Sequence, residues 1–363
     1  MTGAGAPPPG RRAAPGSASA ILAAGDDFVL TRLFHAALTS EIGTARAIRE
    51  LSLPWPGVPF GRVAEVDEAS GDEDTLIKAL AGTEIAVTHL APFTRNVFAN
   101  APDLRLAVVS RGGPVNVNVE AATEHGVAVC YAPGRNANAV AEFTIGLTVA
   151  ACRNLVAGHA GLATGTWPGH FYEYVHSGFE LAGSTVGLVG YGAIGRIVGR
   201  LFTAFGASVL TYDPYFSAVE PGITKVDDLG DLLAASQVVS LHQRVTDETR
   251  GQIGAAEITR MPRGSVLINT ARGAVLDYRA LCEALDSGHL AAAGLDTYAV
   301  EPLPPDHRLL RTPNVVMAPH VAGCSREVAE RAAGICAAEV GRWLRGEPLA
   351  NCANPEVAGV SGR

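Results

Sequence analysis

From Ala20 onward, short apolar runs alternate with stretches whose apolar residues recur at helical spacing, the pattern of a parallel sheet with crossover helices. The first series predicts strands at Ala20–Ala24, Ile85–Thr88, Leu104–Val109 and Val127–Tyr131. After the break at Pro133-Gly134, the stretch from Ala137 to Arg153 is long and apolar on more than one face, which predicts a buried connector helix between two domains. A second series opens at Ser184, with runs at Thr185–Val189, Ala207–Thr211, Val238–Leu241, Val266–Asn269, Ala292–Leu295 and Val315–Ala318. These runs are largely continuous rather than alternating, as in strands buried on both faces. A last helix is predicted over Arg326–Leu344; it follows the second sheet in sequence but is free to fold back onto the first domain. The chain has no internal repeat at a solenoid period.

Composition narrows the function classes. A chain of 363 residues that is 48% hydrophobic can bury ordinary cores, and its length suggests two domains. A formal net charge of -8 and a pI near 5.7 provide no field to gather phosphate backbones or anionic lipid, so neither nucleic acid nor membrane is expected as a partner. No apolar run approaches the roughly 20 residues needed to span a bilayer. The cysteines are scattered, with no CxxC pair and no His at zinc-finger spacing. Reduced thiols, no metal site and a cytoplasmic location are therefore expected. The start is rich in Pro, Gly, Ala and Ser and carries the pair Arg11-Arg12, but the short apolar stretch that follows runs into Asp26 and Asp27. That reads as a disordered tail over residues 1–19 rather than an export signal.

Cofactor chemistry enters at Gly190-Tyr191-Gly192-Ala193-Ile194-Gly195, a GxGxxG directly after a predicted strand and opening a predicted helix. In that context Gly190 permits a tight turn, Gly192 lets backbone approach a pyrophosphate, and Gly195 lets helix and strand pack closely. Asp213 stands at the tip of the next strand, where a carboxylate accepts from a ribose 2'-OH and repels a 2'-phosphate. No Arg follows within the next few positions, which favours NAD over NADP.

Three later segments lie past strand ends, the edge where open parallel sheets hold their ligands. They are Asn269-Thr270-Ala271-Arg272-Gly273, the run from Gly294 to Pro302, and Ala318-Pro319-His320-Val321-Ala322-Gly323. Hydride transfer at a 2-hydroxy acid needs a base for the hydroxyl proton and a cation for the carboxylate. His320 and Arg272 fit those roles, and Glu301 fits a carboxylate that orients the imidazole and favours its protonated form.

With these segments the sequence resembles the D-isomer-specific 2-hydroxyacid dehydrogenase family, which includes phosphoglycerate, D-lactate, glyoxylate/hydroxypyruvate and formate dehydrogenases. The resemblance covers nearly all of Ala20 to Glu356. It also rests on Glu120-Ala121-Ala122, Ala141-Glu142, the run from Glu180 to Gly183, His242 with Thr246–Thr249, and Cys352-Ala353-Asn354-Pro355-Glu356. The fold it implies is α/β, with two doubly wound parallel-sheet domains. A Rossmann NAD-binding domain (136–324) is inserted into a flavodoxin-like substrate domain (20–135 plus 325–356), and a tail follows at 357–363. By resemblance Arg272, Glu301 and His320 are the catalytic residues. Gly190, Gly192, Ala193, Ile194, Gly195, Asp213, Thr270, Ala271, Arg272, Asp296, His320 and Gly323 contact NAD, with Asp296 holding the carboxamide. A small 2-hydroxy or 2-oxo acid is the implied substrate, and a homodimer through the NAD-binding domains the implied assembly.

Two segments depart from the family. Ser110-Arg111-Gly112-Gly113-Pro114 replaces its usual loop, so the backbone of Arg111, Gly112 and Gly113 is expected to cup the substrate carboxylate while Arg111 adds a charge. Arg244 replaces a Pro after His242, and Arg135, beside Asn136, is a third cation in a predicted substrate loop. These arginines either mark a phosphorylated or sugar-derived acid or are structural, and the sequence leaves both readings open. Glu301, where formate dehydrogenases carry Gln, argues against formate. Some proteins resembling this family are NAD(H)-sensing transcriptional corepressors, but Arg, Glu and His are all kept here, which favours an enzyme.

Overall fold

The computed structural model describes residues 20–56, 61–216 and 218–358, and the chain divides into two compact units. One comprises the chain up to Pro133 together with the chain from Glu330; the other is Gly134–Ala329. The expected tail over 1–19, and the part of the second tail from 359, lie outside the described residues. Residues 357 and 358 do not begin a tail, because they close a short helix, Pro355–Ala358. Val357 is buried there, and its N–H donates to Asn354 O at 3.1 Å.

The first unit holds strands β1 (Ala20–Gly25), β2 (Ile48–Ser52), β3 (Gly61–Val63), β4 (Val66–Ala69), β5 (Thr83–Thr88), β6 (Leu106–Val109) and β7 (Ala128–Tyr131). Five of them form a parallel sheet in the order β2-β1-β5-β6-β7. With the antiparallel β3–β4 hairpin set aside, this is the flavodoxin-like order, with its reversal between β1 and β5. Phe34, Phe93 and Phe98 are fully buried against the sheet. The edge strand β2 went unread in the sequence because Arg49 and Glu50 interrupt its apolar run, as suits an edge whose side chains stay exposed.

The second unit holds β8 (Thr185–Val189), β9 (Ser208–Tyr212), β10 (Ile223–Lys225), β11 (Val238–Leu241), β12 (Ser265–Asn269), β13 (Leu290–Leu295) and β14 (Val315–Met317). Their order is β10-β9-β8-β11-β12-β13-β14, the Rossmann order extended by one parallel strand. β10 is a three-residue edge strand, too short to leave an apolar run. Apolar clusters cover both faces, one around Leu233, Leu267 and Leu281, the other around Tyr191, Val198 and Phe202. The Ala137–Cys152 helix packs into the second cluster through Ala141 and Leu147, as its apolar girth predicted.

The register of this sheet decides where its chemistry falls. Tyr212 pairs with Val189, Val189 with Leu241, Leu241 with Asn269, Asn269 with Leu295, and Leu295 with Met317. Six strand ends thus stand in one row, and the chain leaves each of them on the same side of the sheet.

Candidate active site

The glycine-rich turn after β8 comes first in that row. Gly190 has φ of +98°, and a Cβ there would stand 2.8 Å from backbone atoms of His242 and Gln243. A Cβ on Gly195 would fall 2.3 Å from Gly190 O, so the helix Ala193–Ala204 touches the turn only because that side chain is absent. A Cβ on Gly192, by contrast, would meet nothing within 4 Å. The three glycines therefore serve three needs, a left-handed turn, a close helix contact and an open approach to the backbone. The helix starts without a side-chain cap, so its first N–H groups are left for an anion. An open cradle beside uncapped N–H groups fits a pyrophosphate.

Asp213 lies just past β9. Its Oδ2 accepts from Tyr191 N–H at 2.8 Å and its Oδ1 from Tyr215 N–H at 2.9 Å. The carboxylate thus holds both loops in place, and each oxygen keeps a lone pair for a ribose hydroxyl. His242, past β11, backs the glycine turn. Its Nε2 lies 2.9 Å from Ser240 Oγ, its Nδ1 is buried without a hydrogen-bond partner among the described residues, and burial pushes its pKa down to about 4. The imidazole is therefore neutral at physiological pH.

Past β12, Asn269 shapes the loop that carries Arg272. Its Oδ1 accepts from Ala271 N–H at 3.0 Å and its Nδ2 donates to Arg272 O at 3.0 Å. Arg272 itself is exposed. Gly273 allows this loop to lie flat against the next one, since a Cβ there would stand 1.9 Å from the carbonyl carbon of Tyr298. Tyr298 in turn donates its O–H to Ala318 O at 2.9 Å, tying the loop after β13 to the loop after β14. Arg272, Glu301 and His320 are brought together by these contacts.

His320 Nδ1 lies 2.7 Å from Glu301 Oε2, and Glu301 Oε1 accepts from Tyr298 N–H at 2.8 Å. Burial raises the Glu301 carboxyl, but the His320 hydrogen bond, the Tyr298 N–H and the charges of His320 and Arg272 together hold it below the usual carboxylate range. Glu301 is therefore ionised at neutral pH. Its contribution to stability is complete above the unfolded pKa of 4.5 and is lost as the pH falls through the lower folded value. His320 has φ of +57°, a left-handed backbone that costs a non-glycine residue about 1 kcal/mol or more. Asp296 holds it there: buried at 1% exposure, its two oxygens accept from Val321 N–H at 2.8 Å and Ala322 N–H at 2.9 Å. Burial raises the Asp296 carboxyl, opposed by those N–H groups and by His320. The sequence did not reveal this anchoring, nor the parts played by Asn269 and Tyr298, because each rests on a hydrogen bond between neighbouring loops.

The other sequence-derived candidates fall as follows. Thr270 is buried, its hydroxyl 2.8 Å from that of Thr144 on the connector helix. Gly323 lies beside Asn136, whose Nδ2 would stand 2.8 Å from an added Cβ. Arg135 acts electrostatically on Cys324. In the first unit Arg111 forms an ion pair with Glu68, and Gly112 and Gly113 have open space where side chains would be.

Comparison with known proteins identifies the family. Residues 145–322 match the model of the D-isomer specific 2-hydroxyacid dehydrogenase, NAD binding domain. A glyoxylate reductase of Korarchaeum cryptofilum is 37% identical over 298 residues, covering 81% of this chain and 90% of that protein. The chain belongs to the D-isomer-specific 2-hydroxyacid dehydrogenase family. It is an NAD-dependent oxidoreductase. A D-3-phosphoglycerate dehydrogenase of Methanocaldococcus jannaschii is 38% identical over 298 residues, which cover 80% of this family member but only 56% of that longer protein. A Thermus thermophilus protein of known crystal structure superimposes with a TM-score of 0.75 at 30% identity, over 92% of this chain and 99% of that one. Among the described residues, no single helix is long and apolar enough to cross a membrane, and no group of His, Cys, Asp and Glu is arranged to hold a metal.

Cofactor choice in this family member is expected to follow Asp213. NADH should bind far more tightly than NADPH in a fluorescence titration, and replacing Asp213 with Ser and Pro214 with Arg should narrow the gap. Equal affinities in the unaltered protein would remove Asp213 from the ribose site.

Proposed function

We propose that the chain interconverts small 2-oxo acids and the corresponding D-2-hydroxy acids with NAD(H), using His320 as acid and base, Glu301 as its partner and Arg272 as the carboxylate clamp. The observation that carries this reading is the 2.7 Å contact between His320 Nδ1 and Glu301 Oε2. With Nδ1 so engaged, Nε2 is left to face a substrate oxygen, and the His320 side chain is 43% exposed. When bound, NAD supplies or accepts the hydride. In reduction, the protonated imidazole donates from Nε2 to the oxo oxygen as it becomes a hydroxyl, and Glu301 stabilises the imidazolium beforehand. In oxidation the neutral ring takes the hydroxyl proton. Arg272 offers two parallel N–H groups to the carboxylate, a geometry that also orients the 2-carbon.

The cofactor contacts assigned to Gly190, Gly192, Ala193, Ile194, Gly195, Asp213, Thr270, Ala271, Asp296 and Gly323, and the substrate contacts assigned to Arg111, Gly112, Gly113, Arg135 and Asn136, belong to the same reading. The names of the relatives include both glyoxylate and 3-phosphoglycerate. We favour an unphosphorylated acid, because the Arg111 charge is already balanced by Glu68 rather than held for a phosphate. A screen of NADH oxidation against glyoxylate, hydroxypyruvate and their phosphorylated counterparts tests this. Turnover confined to phosphorylated acids would reverse the assignment, and no turnover with any 2-oxo acid would favour the corepressor-like alternative.

Assembly as a homodimer belongs to the same proposal. The arm around residues 155–175 exposes Leu155, Trp167, Tyr172 and Tyr174, with Tyr172 97% open to solvent, and apolar surface of that extent calls for a partner. A second copy of this chain supplies it. Trp167→Glu together with Tyr174→Glu should halve the mass seen by light scattering; an unchanged mass would place the interface elsewhere.

The catalytic residues are expected to fail differently. His320→Gln should lose roughly 10²- to 10⁴-fold in kcat while NADH binding survives. Arg272→Lys keeps the charge but loses the fork, so KM for the oxo acid should rise. Unchanged kinetics in either variant would remove that residue from the mechanism.

Glu301→Gln should move the alkaline limb of the reductive pH profile, where the imidazolium is lost, to lower pH, because the imidazolium loses its neighbouring anion. A profile that does not move would uncouple the pair.

A further inference from the structure

Cys130 and Cys352 are far apart in sequence but stand opposite each other where the C-terminal segment pairs with β7. Tyr131 N–H donates to Asn351 O at 3.1 Å, and Ala353 N–H donates to Val129 O at 2.8 Å. Those bonds flank the two cysteines rather than join them. The pair is therefore of the non-hydrogen-bonded antiparallel type, whose Cα atoms lie about 4.5 Å apart with side chains at their closest. That spacing falls within the roughly 4.4–6.8 Å a disulfide spans.

The surroundings differentiate the two thiols. Cys130 and Glu339 are fully buried, and Cys130 Sγ lies 3.9 Å from Glu339 Oε2. Glu339 is held by Ala350 N–H at 3.1 Å and Asn351 Nδ2 at 2.8 Å, so the same carboxylate fastens the segment that carries Cys352. Cys352 is only half buried, so solvent reaches one sulfur of the pair.

We propose that Cys352 and Cys130 form a redox-modification site, in which a hydroperoxide oxidises Cys352 and Cys130 converts the product to a cross-strand disulfide. In the first step the Cys352 thiolate attacks a peroxide oxygen. The S–O bond forms, the O–O bond breaks, the sulfur loses two electrons, and the other peroxide oxygen leaves as alkoxide, or as hydroxide when the oxidant is hydrogen peroxide. In the second step Cys130 attacks the sulfenic sulfur. The S–S bond forms, the S–O bond breaks, and the Cys130 proton leaves with the departing hydroxide as water.

The electrostatics agree with this order of roles. The hydrogen bond from Cys130, helped by the N–H groups of Asn354 and Val129, outweighs burial and the charge of Glu356 and brings Cys352 down to about 7. The same hydrogen bond, burial, and the nearby Glu339 and Cys336 push the Cys130 thiol up, keeping it protonated until it is called on. The nucleophile is thus the accessible sulfur and the resolving thiol the enclosed one.

The test uses the reduced full-length protein, hydrogen peroxide as oxidant, and non-reducing peptide mapping by mass spectrometry. The expected product is one cross-link between the peptides bearing Cys130 and Cys352, reversed by dithiothreitol. In Cys130→Ser, Cys352 sulfenic acid should persist long enough for dimedone to trap it. Alkylation of Cys352 by iodoacetamide in the unaltered protein should rise with a midpoint near pH 7 rather than the usual ~8.5. Oxidation that falls on exposed Cys324 while Cys130 and Cys352 remain reduced, or a cross-link joining any other pair, would overturn the proposal. The mapping needs no variant, so it decides the matter even if a substituted protein fails to fold.

Discussion

The parallel register of the seven-stranded sheet is the constraint on which the chemistry depends. Because Tyr212, Val189, Leu241, Asn269, Leu295 and Met317 align across the strands, the loops that follow them all emerge on one edge. Residues distant in sequence become neighbours without any strand bending to deliver them. Continuous apolar packing on both faces of the sheet fixes that register, since a one-residue slip would turn core side chains the wrong way.

The loops still have to be aimed, and buried polar groups do that. Asp296 gives both its oxygens to the backbone after His320, which keeps a left-handed residue in place and the imidazole turned to Glu301. Asn269 does the same for the Arg272 loop, and Tyr298 links the loops on either side of Glu301. A charge or amide buried this deeply is costly unless fully bonded. These groups therefore specify one arrangement and resist others.

The first unit applies the same device at its C-terminal end. Asn354 is buried, accepts from Val129 N–H at 2.8 Å and donates to Val127 O and Thr123 Oγ1, each at 2.9 Å. It fastens the last segment along β7, and with Glu339 it creates the enclosed setting in which Cys130 meets Cys352. The scattered cysteines, read along the chain as unconnected reduced thiols, acquire their relation only through this pairing.

The sequence by itself determined the fold class, most of the strands, the glycine turn and the placement of Asp213, Arg272, Glu301 and His320 in the loops past strand ends. Those features have local causes: an apolar run of strand length, a glycine where no Cβ fits, a titratable group just past a strand end. Edge strands β2 and β10 escaped notice because an edge needs no continuous apolar run. Only the tertiary structure decided the Glu68 partner of Arg111, the anchoring of His320 by Asp296 and the Cys130–Cys352 pair. Each of these is a contact between residues distant along the chain, set by how strands pair and loops pack, and residue order alone carries no record of distance in space.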